Sequence, residues 1–368
     1  MNILIATPLF PPAIGGPATY SKVLSDALPK QGISIRIADF GAVRWLPRGI
    51  RHAAYFLVCL WRGRGADVIY AQDPFSVGFP ALLAARILRK KFALKVVGDY
   101  AWEIFQRSAA IFVSPDDFQH GRYDLVTEIR RAVEHFTVRR ARAVVVPSEY
   151  LKRIVAGWGA RPDAIHVIPN AFDGAECPLT QEDARKKYRL DGTLFLSAGR
   201  LVPWKGFGTL VELMPDIIRE IPDARLVIAG DGEEREALEF AVRALGLQER
   251  VLLLGRVAHA ELAGYIRAAD LFVLNTGYEG LSHQLLEVLA LKTPVITTTI
   301  GGNPEIVRDG DNGVLVDYDD RGALKAAIVR LAKDGEERRR FSERGPETVR
   351  TFTRERMVAR IAALLNDL

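Results

Sequence analysis

The chain has 368 residues, of which 49% are hydrophobic and 26% are charged, a composition typical of a globular protein with two domains of ordinary size. Its two cysteines exclude a disulfide framework and a cysteine-based metal cluster, and they suit a reducing compartment. The longest apolar run, AAYFLVCLW (53–61), is far shorter than the roughly 20 residues of a membrane-spanning helix. The amino terminus lacks the features of a signal peptide. We therefore expect a cytoplasmic protein, or one on the cytoplasmic face of a membrane.

The net charge of +5 is divided unevenly along the chain. Residues 1–175 contain 23 Lys and Arg against 14 Asp and Glu, a charge of +9, and the remaining residues contain 27 against 31, a charge of −4. A basic first half suits anionic lipid, a phosphate-bearing acceptor or nucleic acid, although solvated helix faces also explain it. Because no nucleic-acid-binding motif accompanies the charge, we expect no nucleic-acid partner.

Short apolar segments alternate with helical stretches along the whole chain. In the first half these segments are NILIAT (2–7), SIRIADF (34–40), DVIYAQ (67–72), FALKVV (92–97) and AVVVPS (143–148). In the second half they are LFLSAG (194–199), ARLVIAG (224–230), VLLLG (251–255), LFVLN (271–275), PVITT (294–298) and GVLV (313–316). This alternation predicts an α/β protein whose parallel sheets carry helices on both faces.

We predict two doubly wound, Rossmann-like domains, residues 1–175 and 176–351, joined by the polar stretch 170–183. Ligands of such sheets bind outside the carboxyl ends of the strands, so both domains can face one ligand in a cleft between them. The final segment, 352–368, has the pattern of an amphipathic helix. We expect it to pack back toward the first domain.

The loop after the first strand contains adjacent glycines, Gly15 and Gly16, just before a helix. Adjacent glycines let the backbone approach a bulky or charged ligand, although such a pair is also common in simple turns. The dinucleotide fingerprint GxGxxG is absent from this loop and from the loop after LFLSAG (194–199). That absence argues against an oxidoreductase built on the same type of domain.

Two basic residues, Arg200 and Lys205, lie in the loop that follows LFLSAG (194–199) and precedes a helix. Strand-end loops of this kind hold the phosphates of nucleotides, since Arg grips two phosphate oxygens and Lys supplies a point charge. Two ordinary solvated side chains are the simpler explanation of the same pattern. Their position beside Gly199 and Gly206 favours a functional role.

Two carboxylates flank the predicted helix start in GYEGLSHQLLEVLA (277–290). Glu279 precedes the helix, Ser282 is a suitable N-cap, and Glu287 lies in the second turn, about 7 Å along the axis. A helix N-terminus binds anions, so carboxylates beside it suit a ligand with hydroxyl groups as well as phosphates. A sugar joined through a diphosphate to a ribose has this layout. Solvated surface glutamates remain the alternative.

Several stretches together resemble the family 4 retaining glycosyltransferases of the GT-B fold. They are FPPAIGGPATYSKVL (10–24), PSEYLKRIV…IPNAFD (147–173), GR…K (199–205), AGDGEE (229–234), GYEGLSHQLLEVLA (277–290) and GGNPEIVRDGDNGVLV (301–316). The resemblance spans nearly the whole chain in order. It implies that the first domain binds the acceptor and that the second binds a nucleoside-diphosphate-sugar donor.

The resemblance also implies roles for individual residues. Arg200 and Lys205 would hold the donor diphosphate and stabilise the departing charge, while Glu287 would hold the ribose and Glu279 would face the sugar. The backbone amides of Gly280, Leu281 and Ser282 would contact the phosphates. Gly15 and Gly16 would bring the first loop against the donor.

The acceptor side departs from the family pattern. Many members carry a histidine after the fourth strand, where this chain has VVGDYAWE (96–103), and Asp99 is its nearest equivalent. An aspartate can orient or deprotonate an acceptor hydroxyl when its site raises its pKa. Trp102 could stack on a sugar and Glu103 could bind its hydroxyls. Alternatively, Asp99 caps the following helix and Trp102 belongs to the core.

We therefore expect a retaining, metal-independent hexosyltransferase that acts on a glycan or lipid-linked glycan in cell-surface polysaccharide synthesis, with possible peripheral contact with anionic membrane. No D-x-D metal motif ends a strand, and Arg200 and Lys205 could replace a metal ion, so we expect neither metal nor cofactor. A nucleotide-sugar epimerase of the same fold and a non-catalytic nucleotide-sugar-binding subunit are the alternatives. Intact Arg200, Lys205, Glu279 and Glu287 argue against the second.

Overall fold

The computed structural model describes residues 1–13, 15–47, 49–109, 111–172, 174 and 176–368. The chain divides into two compact units, Met1–Ala171 together with Phe352–Leu368, and Phe172–Thr351. Each unit contains a parallel sheet of six strands. In the described parts of the chain, no helix is long and apolar enough to cross a membrane.

The sheet of the first unit has the strand order β2-β1-β3-β4-β5-β6. Its strands are β1 (Asn2–Thr7), β2 (Ser34–Asp39), β3 (Val68–Ala71), β4 (Lys91–Lys95), β5 (Ala143–Val146) and β6 (Ile165–Val167). All residues of β3 and of β5 are buried, as expected of parallel strands covered on both faces. The three-residue β6, with His166 at its centre, was not predicted because it is too short to show a strand pattern.

Helices follow most strands of the first unit, as the alternating sequence pattern predicts. They are α1 (Gly16–Ala27), α2 (Ile50–Arg62), α3 (Gly78–Ile87), α4 (Tyr100–Ser108), α5 (Pro115–His120), α6 (Leu125–Arg139) and α7 (Glu149–Gly157). Side-chain N-caps open several of them. Ser148, for example, accepts a hydrogen bond from the Leu151 N–H at the start of α7.

The sheet of the second unit has the order β12-β11-β10-β7-β8-β9. Its strands are β7 (Thr193–Ala198), β8 (Ala224–Ala229), β9 (Val251–Gly255), β10 (Leu271–Leu274), β11 (Val295–Thr298) and β12 (Val314–Val316). Its helices are α8 (Gln181–Tyr188), α9 (Phe207–Glu220), α10 (Arg235–Ala244), α11 (His259–Ala268), α12 (His283–Ala290), α13 (Arg321–Lys333) and α14 (Gly335–Val349). The first strand of the unit, β7, lies in the middle, between β8 and β10.

The last helix, α15 (Arg354–Asp367), belongs to the first unit. Its buried face includes Met357, Ile361 and Leu365, which join the apolar cluster of β1 and α1. The Arg360 guanidinium donates to the Val167 carbonyl over 2.7 Å and so attaches the helix to the end of β6. The expected return of the final helix to the first domain is confirmed.

Candidate functional site

The site in the second unit arises where the strand order reverses. Strands β7 and β10 are paired neighbours, but β8 lies on one side of them and β11 lies on the other. The chain therefore leaves β7 and β10 in opposite directions and opens a crevice at their carboxyl ends. This topology brings the loop with Arg200 and Lys205 beside the loop with Glu279, which lies more than 70 residues later in the sequence.

Glycines allow the loops of this crevice to pack backbone against backbone. Gly206 has φ of 61°, and a Cβ there would lie 2.2 Å from the carbonyl oxygen of Asn275. Gly301, with φ of 65°, would place a Cβ 2.0 Å from the carbonyl oxygen of Glu279. Only glycine fits both the conformation and the space at these positions. The loops after β7, β10 and β11 are thereby held in one layer.

Lys205 and Glu279 form an ion pair across the crevice. Lys205 ends a short 3₁₀ turn (Pro203–Lys205), and its ammonium group donates to the Glu279 carboxylate. The two side chains are only 15% and 17% exposed, so water screens their attraction less than it would on an open surface. The structure brings together two residues that sequence reasoning assigned to one ligand.

Arg200 lies in the loop after β7 and is exposed. Its guanidinium carbon is 5.8 Å from the ring centroid of the buried Trp204, a cation–π distance. The Trp204 carbonyl in turn accepts a hydrogen bond of 2.7 Å from the Gly277 N–H. Trp204 thus links the loop of Arg200 to the loop of Glu279.

The N-terminus of α12 faces the same crevice. Ser282 is its N-cap, as predicted, and its hydroxyl accepts from the Leu285 N–H over 3.4 Å. The first N–H groups of a helix have no partner within the helix, and the aligned peptide dipoles give this end a partial positive charge. Gly280, Leu281 and Ser282 lead into this helix start from Glu279. The arrangement can bind an anion next to Lys205 and Arg200.

Glu287 lies on α12 with a side chain that is only 19% exposed. Burial raises the pKa of its carboxyl, and the charged form of His259 would act in the opposite direction. The Nδ1 of His259 lies 3.7 Å from the Glu287 Oε1. Sequence reasoning missed His259, because it lies 28 residues earlier outside any recognisable motif.

A buried hydrogen-bond network connects the loop of Glu279 to the end of β11 and to Asn303. The Thr298 hydroxyl donates to the Thr276 carbonyl over 2.6 Å. The Asn303 side-chain amide donates to the hydroxyls of Thr297 and Thr298 over 3.2 and 3.3 Å. These residues were not predicted as part of the site, although Asn303 lies within the GGNPE stretch that contributes to the resemblance. They fix the loop that carries the predicted carboxylate.

Gly15 and Gly16 lie in the first unit, at the start of α1. Gly15 has φ of 150°, a backbone conformation that favours glycine, and it precedes the helix as its N-cap. A Cβ on Gly16 would meet no described atom within 4 Å, so the space beside it is open. Their contact with a donor remains a prediction.

Asp99 caps α4 and is buried. Its Oδ1 accepts from the Trp102 N–H over 2.8 Å and its Oδ2 accepts from the Gln119 side chain over 2.9 Å. Burial raises the pKa of the Asp99 carboxyl, and these hydrogen bonds oppose that effect. The geometry is therefore that of the alternative reading, a helix cap, and the role of acceptor base remains only a prediction.

The expected sugar contact of Trp102 is wrong for this structure. Its side chain is 0% exposed, and its indole N–H donates to the Val113 carbonyl over 2.8 Å. A ring without an exposed face cannot stack on a sugar. Glu103, on the first turn of α4, is half-buried, and its acceptor contact remains a prediction.

Two more carboxylates, the buried Glu134 and the half-buried Asp73, lie at the carboxyl edge of the first sheet. Glu134 accepts from the N–H groups of Tyr100 and Ala101, both over 3.1 Å, and burial raises its pKa. Asp73 accepts from the Phe75 N–H over 2.8 Å at the turn before α3, and burial raises its pKa to about 6. Both were missed, since a buried capping acid has no sequence signal that separates it from an exposed one.

Lys95, at the end of β4, is also buried. Its ammonium nitrogen lies 2.5 Å from the Asn170 side-chain oxygen and 3.6 Å from the ring centroid of Tyr20. Burial lowers the pKa of Lys95 to about 7. At the carboxyl edge of the first sheet these polar groups are thus largely buried, whereas at the carboxyl edge of the second sheet they lie in loops.

For the described residues, no group of three or more His, Cys, Asp or Glu side chains is arranged to hold a metal ion. The groups that can hold an anion at the crevice are the side chains of Arg200 and Lys205 and the helix N-terminus at Ser282.

Two family models match the chain, one in each unit. The model described as "Glycosyl transferase 4-like domain" matches residues 15–171, and the model described as "Glycosyl transferases group 1" matches residues 180–348. The two matches together leave only short segments of the chain uncovered.

Curated relatives and solved structures agree with these models. A lipopolysaccharide core biosynthesis glycosyltransferase, LpsE of Rhizobium meliloti, is 35% identical over 54% of this chain and 56% of its own length. The chain thus spans about half the length of several curated relatives that it matches. A GDP-mannose-dependent monoacylated alpha-(1-6)-phosphatidylinositol monomannoside mannosyltransferase of Corynebacterium glutamicum is 26% identical over 90% of this chain and 88% of its own length. Anabaena HepE, solved with UDP-glucose, has a TM-score of 0.79 at 20% identity, with both chains fully covered.

Proposed function

The chain belongs to the family 4 glycosyltransferases of the GT-B fold, and from this premise we propose that it transfers a sugar from a nucleoside diphosphate to an acceptor hydroxyl with retention at the anomeric carbon. The observation that carries the proposal is the crevice between β7 and β10. There, Lys205 and Glu279 are paired beside the N-terminus of α12. The layout offers positive groups for a diphosphate and carboxylates for hydroxyls on either side of it.

The leaving group determines the chemical role of the positive groups. Breaking the bond between sugar and phosphate leaves additional negative charge on the diphosphate. Lys205 and Arg200, together with the partial charge of the α12 N-terminus, would stabilise that charge with groups already in place. The partly buried position of Lys205 strengthens its contribution.

The carboxylates would orient the two sugar rings of the donor. Glu287 would accept hydrogen bonds from the ribose hydroxyls, and Glu279 would bind hydroxyls of the transferred sugar. The amides of Gly280, Leu281 and Ser282 would contact the phosphates between them. Gly15 and Gly16, in the first unit, would approach the donor through backbone contacts.

We propose that transfer requires no divalent cation. Two cationic side chains and a helix N-terminus supply the positive charge that a metal ion would otherwise bring to a diphosphate. A chelator should therefore leave turnover unchanged, and complete loss of turnover in EDTA would overturn this part of the proposal.

The acceptor is proposed to be a glycan or a lipid-linked glycan in the synthesis of cell-surface polysaccharide, handled in the cytoplasm at the inner face of the membrane. LpsE is named for lipopolysaccharide core biosynthesis, and the Corynebacterium glutamicum relative is named for a monoacylated phosphatidylinositol mannoside. The basic first half of the chain is consistent with an acceptor attached to anionic lipid.

A product assay tests the proposal. The full chain is incubated with UDP-, GDP- or ADP-sugars in EDTA, with and without a glycolipid extract, and products are identified by mass spectrometry and by NMR of the anomeric proton. We expect one donor to be consumed and its sugar to appear on the acceptor with unchanged anomeric configuration. An isomerised nucleotide sugar would indicate the epimerase instead, and an inverted linkage would contradict the proposed stereochemistry. Binding of one donor without transfer would favour the non-catalytic subunit.

A further inference from the structure

Helix α2 of the first unit has two apolar faces, and only one of them is covered. Tyr55 and Cys59, four residues apart, are fully buried against the unit. On the opposite side, Ile50, Leu57 and Trp61 are 60%, 60% and 66% exposed. At 100° per residue these three side chains point within about 40° of one another. They form a continuous apolar stripe on the outside of the protein, which we call the α2 stripe.

A second exposed tryptophan precedes the helix. Trp45 is 80% exposed, and its indole N–H donates to the Ala42 carbonyl over 3.1 Å. Scattered exposed apolar residues are normal, but two exposed tryptophans in one amphipathic segment are a feature of binding surfaces. Tryptophan has an apolar ring and a polar N–H, which is why it is enriched where protein meets the headgroup region of a bilayer.

The segment that carries the α2 stripe is strongly basic, and the nearest carboxylates in sequence are Asp39 before it and Asp67 after it. The segment from Phe40 to Ala66 contains arginines at positions 44, 48, 51, 62 and 64 and no aspartate or glutamate. Next to the stripe, an open groove of about 520 Å³ is lined by Arg36, Ile37, Trp61 and Arg62. An apolar stripe bordered by arginines suits an anionic bilayer, because the side chains enter the interface while the guanidinium groups meet phosphates.

The charge distribution also argues against a second copy of the chain as the partner that covers the α2 stripe. A second copy of the same chain would place arginines against arginines. A different exposed apolar patch, on α6, contains Leu125, Val126 and Ile129, and charges of both signs border it: Asp124 and Glu128 together with Arg122 and Arg130. Because these charges largely cancel, that patch should attract anionic headgroups less than the α2 stripe does, and it provides an internal comparison.

The position of α2 relates the stripe to the functional edge of the first sheet. His52, in the first turn of α2, lies 6.5 Å from the ring of Phe75, which stacks on Tyr100 at 4.8 Å. Phe75 follows β3 and Tyr100 follows β4, so both lie at the carboxyl edge, where ligands of parallel sheets bind. The N-terminal end of the stripe therefore borders that edge.

From these observations we infer that the α2 stripe, with Trp45 and the surrounding arginines, is a binding face for an anionic lipid bilayer, and that it places the carboxyl edge of the first sheet beside the membrane surface. The inference deepens the proposed function, in which the acceptor is carried on lipid. Lipid binding needs neither donor nor transfer, so an experiment can contradict the lipid-binding inference without contradicting the proposed transferase activity, and the reverse.

The tryptophans provide a direct spectroscopic test. The chain has five tryptophans, and Trp102, Trp158 and Trp204 are buried, so Trp45 and Trp61 are the ones that can enter lipid. The full chain is mixed with vesicles of phosphatidylcholine alone or with 30% phosphatidylglycerol at low salt, and both flotation and tryptophan emission are recorded. We expect flotation and a blue shift with the anionic vesicles, both reduced by salt. Absence of binding to anionic vesicles overturns the inference.

Variants locate the face. Leu57→Glu with Trp61→Glu should lower the vesicle partition coefficient at least about tenfold, because apolar burial is lost and negative charge is added. Arg44→Ser and Arg64→Ser should each lower it about fivefold. The matched control, Leu125→Glu with Ile129→Glu on α6, should change it less than twofold. If the α6 variant loses binding and the α2 variant does not, the face is wrongly assigned.

Further measurements keep the result specific. Far-UV circular dichroism and thermal unfolding of the α2 variant should match those of the wild type, which shows that the first unit is folded. Nucleotide binding in the second unit, measured by calorimetry, should also be unchanged, which shows that only lipid binding is affected. Light scattering should find the same oligomeric state for both proteins. A wild-type oligomer that the α2 substitutions dissociate would show that the stripe covers a second copy and would overturn the inference.

Discussion

Both sheets are parallel and have six strands, but they differ in strand order and use their carboxyl edges differently. In the second unit, Lys205 and Glu279 lie in glycine-containing loops and remain partly exposed, next to the start of α12. In the first unit, Asp99 and Glu134 lie at the corresponding edge but are almost fully buried and accept hydrogen bonds from the first turn of α4. Polar residues at a strand end therefore indicate a ligand site only when loop backbone and side chains remain accessible. Four predictions test this contrast, in order of decreasing effect.

Replacement of Lys205 should have the largest effect. Lys205→Met removes the partly buried ammonium group proposed to stabilise the leaving diphosphate, and it leaves the Glu279 carboxylate without its ion-pair partner. We expect kcat to fall about 10²- to 10³-fold, the range found when one preorganised electrostatic group is lost. Steady-state transfer kinetics measure the change. Adding Glu279→Gln should recover stability but not turnover, and a single variant with turnover within twofold of wild type would contradict the assigned role.

Glu287 should affect donor binding more than chemistry. In Glu287→Gln the weaker acceptor reduces binding of the ribose hydroxyls, so we expect the donor KM to rise about tenfold while kcat changes little. His259→Gln is the control, because His259 is 70% exposed and contacts Glu287 only at 3.7 Å. That variant should change KM less than threefold. An unchanged KM in Glu287→Gln would remove the residue from the donor site.

The buried position of Lys95, at the carboxyl edge of the first sheet, should make the stability of the protein depend on pH. Burial lowers its pKa to about 7, whereas the unfolded chain keeps the usual value near 10.5. Between these values the unfolded state binds more protons, so the free energy of unfolding rises with pH, by at most about 1.4 kcal/mol per pH unit. Lys95→Met should remove this rise between pH 7.5 and 9 in denaturant titrations.

Lys91 is the matched control for that measurement, since it is exposed at the other end of the same strand, β4. Lys91→Met should retain the wild-type rise of stability with pH. A Lys95→Met profile parallel to that of wild type would show that the lysine is hydrated and charged throughout the folded state.

Replacement of Asp99 should have the smallest effect of the four, and that effect should be on stability rather than on turnover. Asp99→Ala removes the N-cap of α4 and should cost about 1 kcal/mol in the free energy of unfolding, whereas Asp99→Asn retains a capping side chain and should cost less. Thermal unfolding measures both. Turnover decides between cap and base, because we expect Asp99→Asn to stay within threefold of wild type. A loss of a hundredfold or more would restore the acceptor-base hypothesis.

Much of the fold and of the second unit's site was predictable from the sequence. Alternating apolar segments predicted the parallel strands, and Ser282 marked the start of α12. The pairing of β7 with β10 then brought Lys205 to Glu279, as their common assignment to one ligand required. Local pattern sufficed because the functional residues lie in the loops that follow strands.

The first unit was less predictable for a physical reason. An aspartate after a strand looks the same in sequence whether it caps a helix or faces a ligand, and only burial separates the two, as Asp99 shows. Trp102 was misassigned in the same way, since an aromatic residue near a strand end can face either the core or a sugar. His259, the first residue of α11, lies near Glu287 of α12 through a contact between residues 28 positions apart, which no local sequence pattern indicates.

The central claim is that the crevice between β7 and β10 binds a nucleoside diphosphate without a metal ion. Isothermal titration calorimetry with UDP, GDP and ADP in EDTA, on wild type, Lys205→Met and Glu287→Gln, tests it most directly. We predict that one nucleotide binds the wild type and that its Kd rises at least about tenfold in each variant. Binding of none of the three, or equal binding by all three proteins, would contradict the claim.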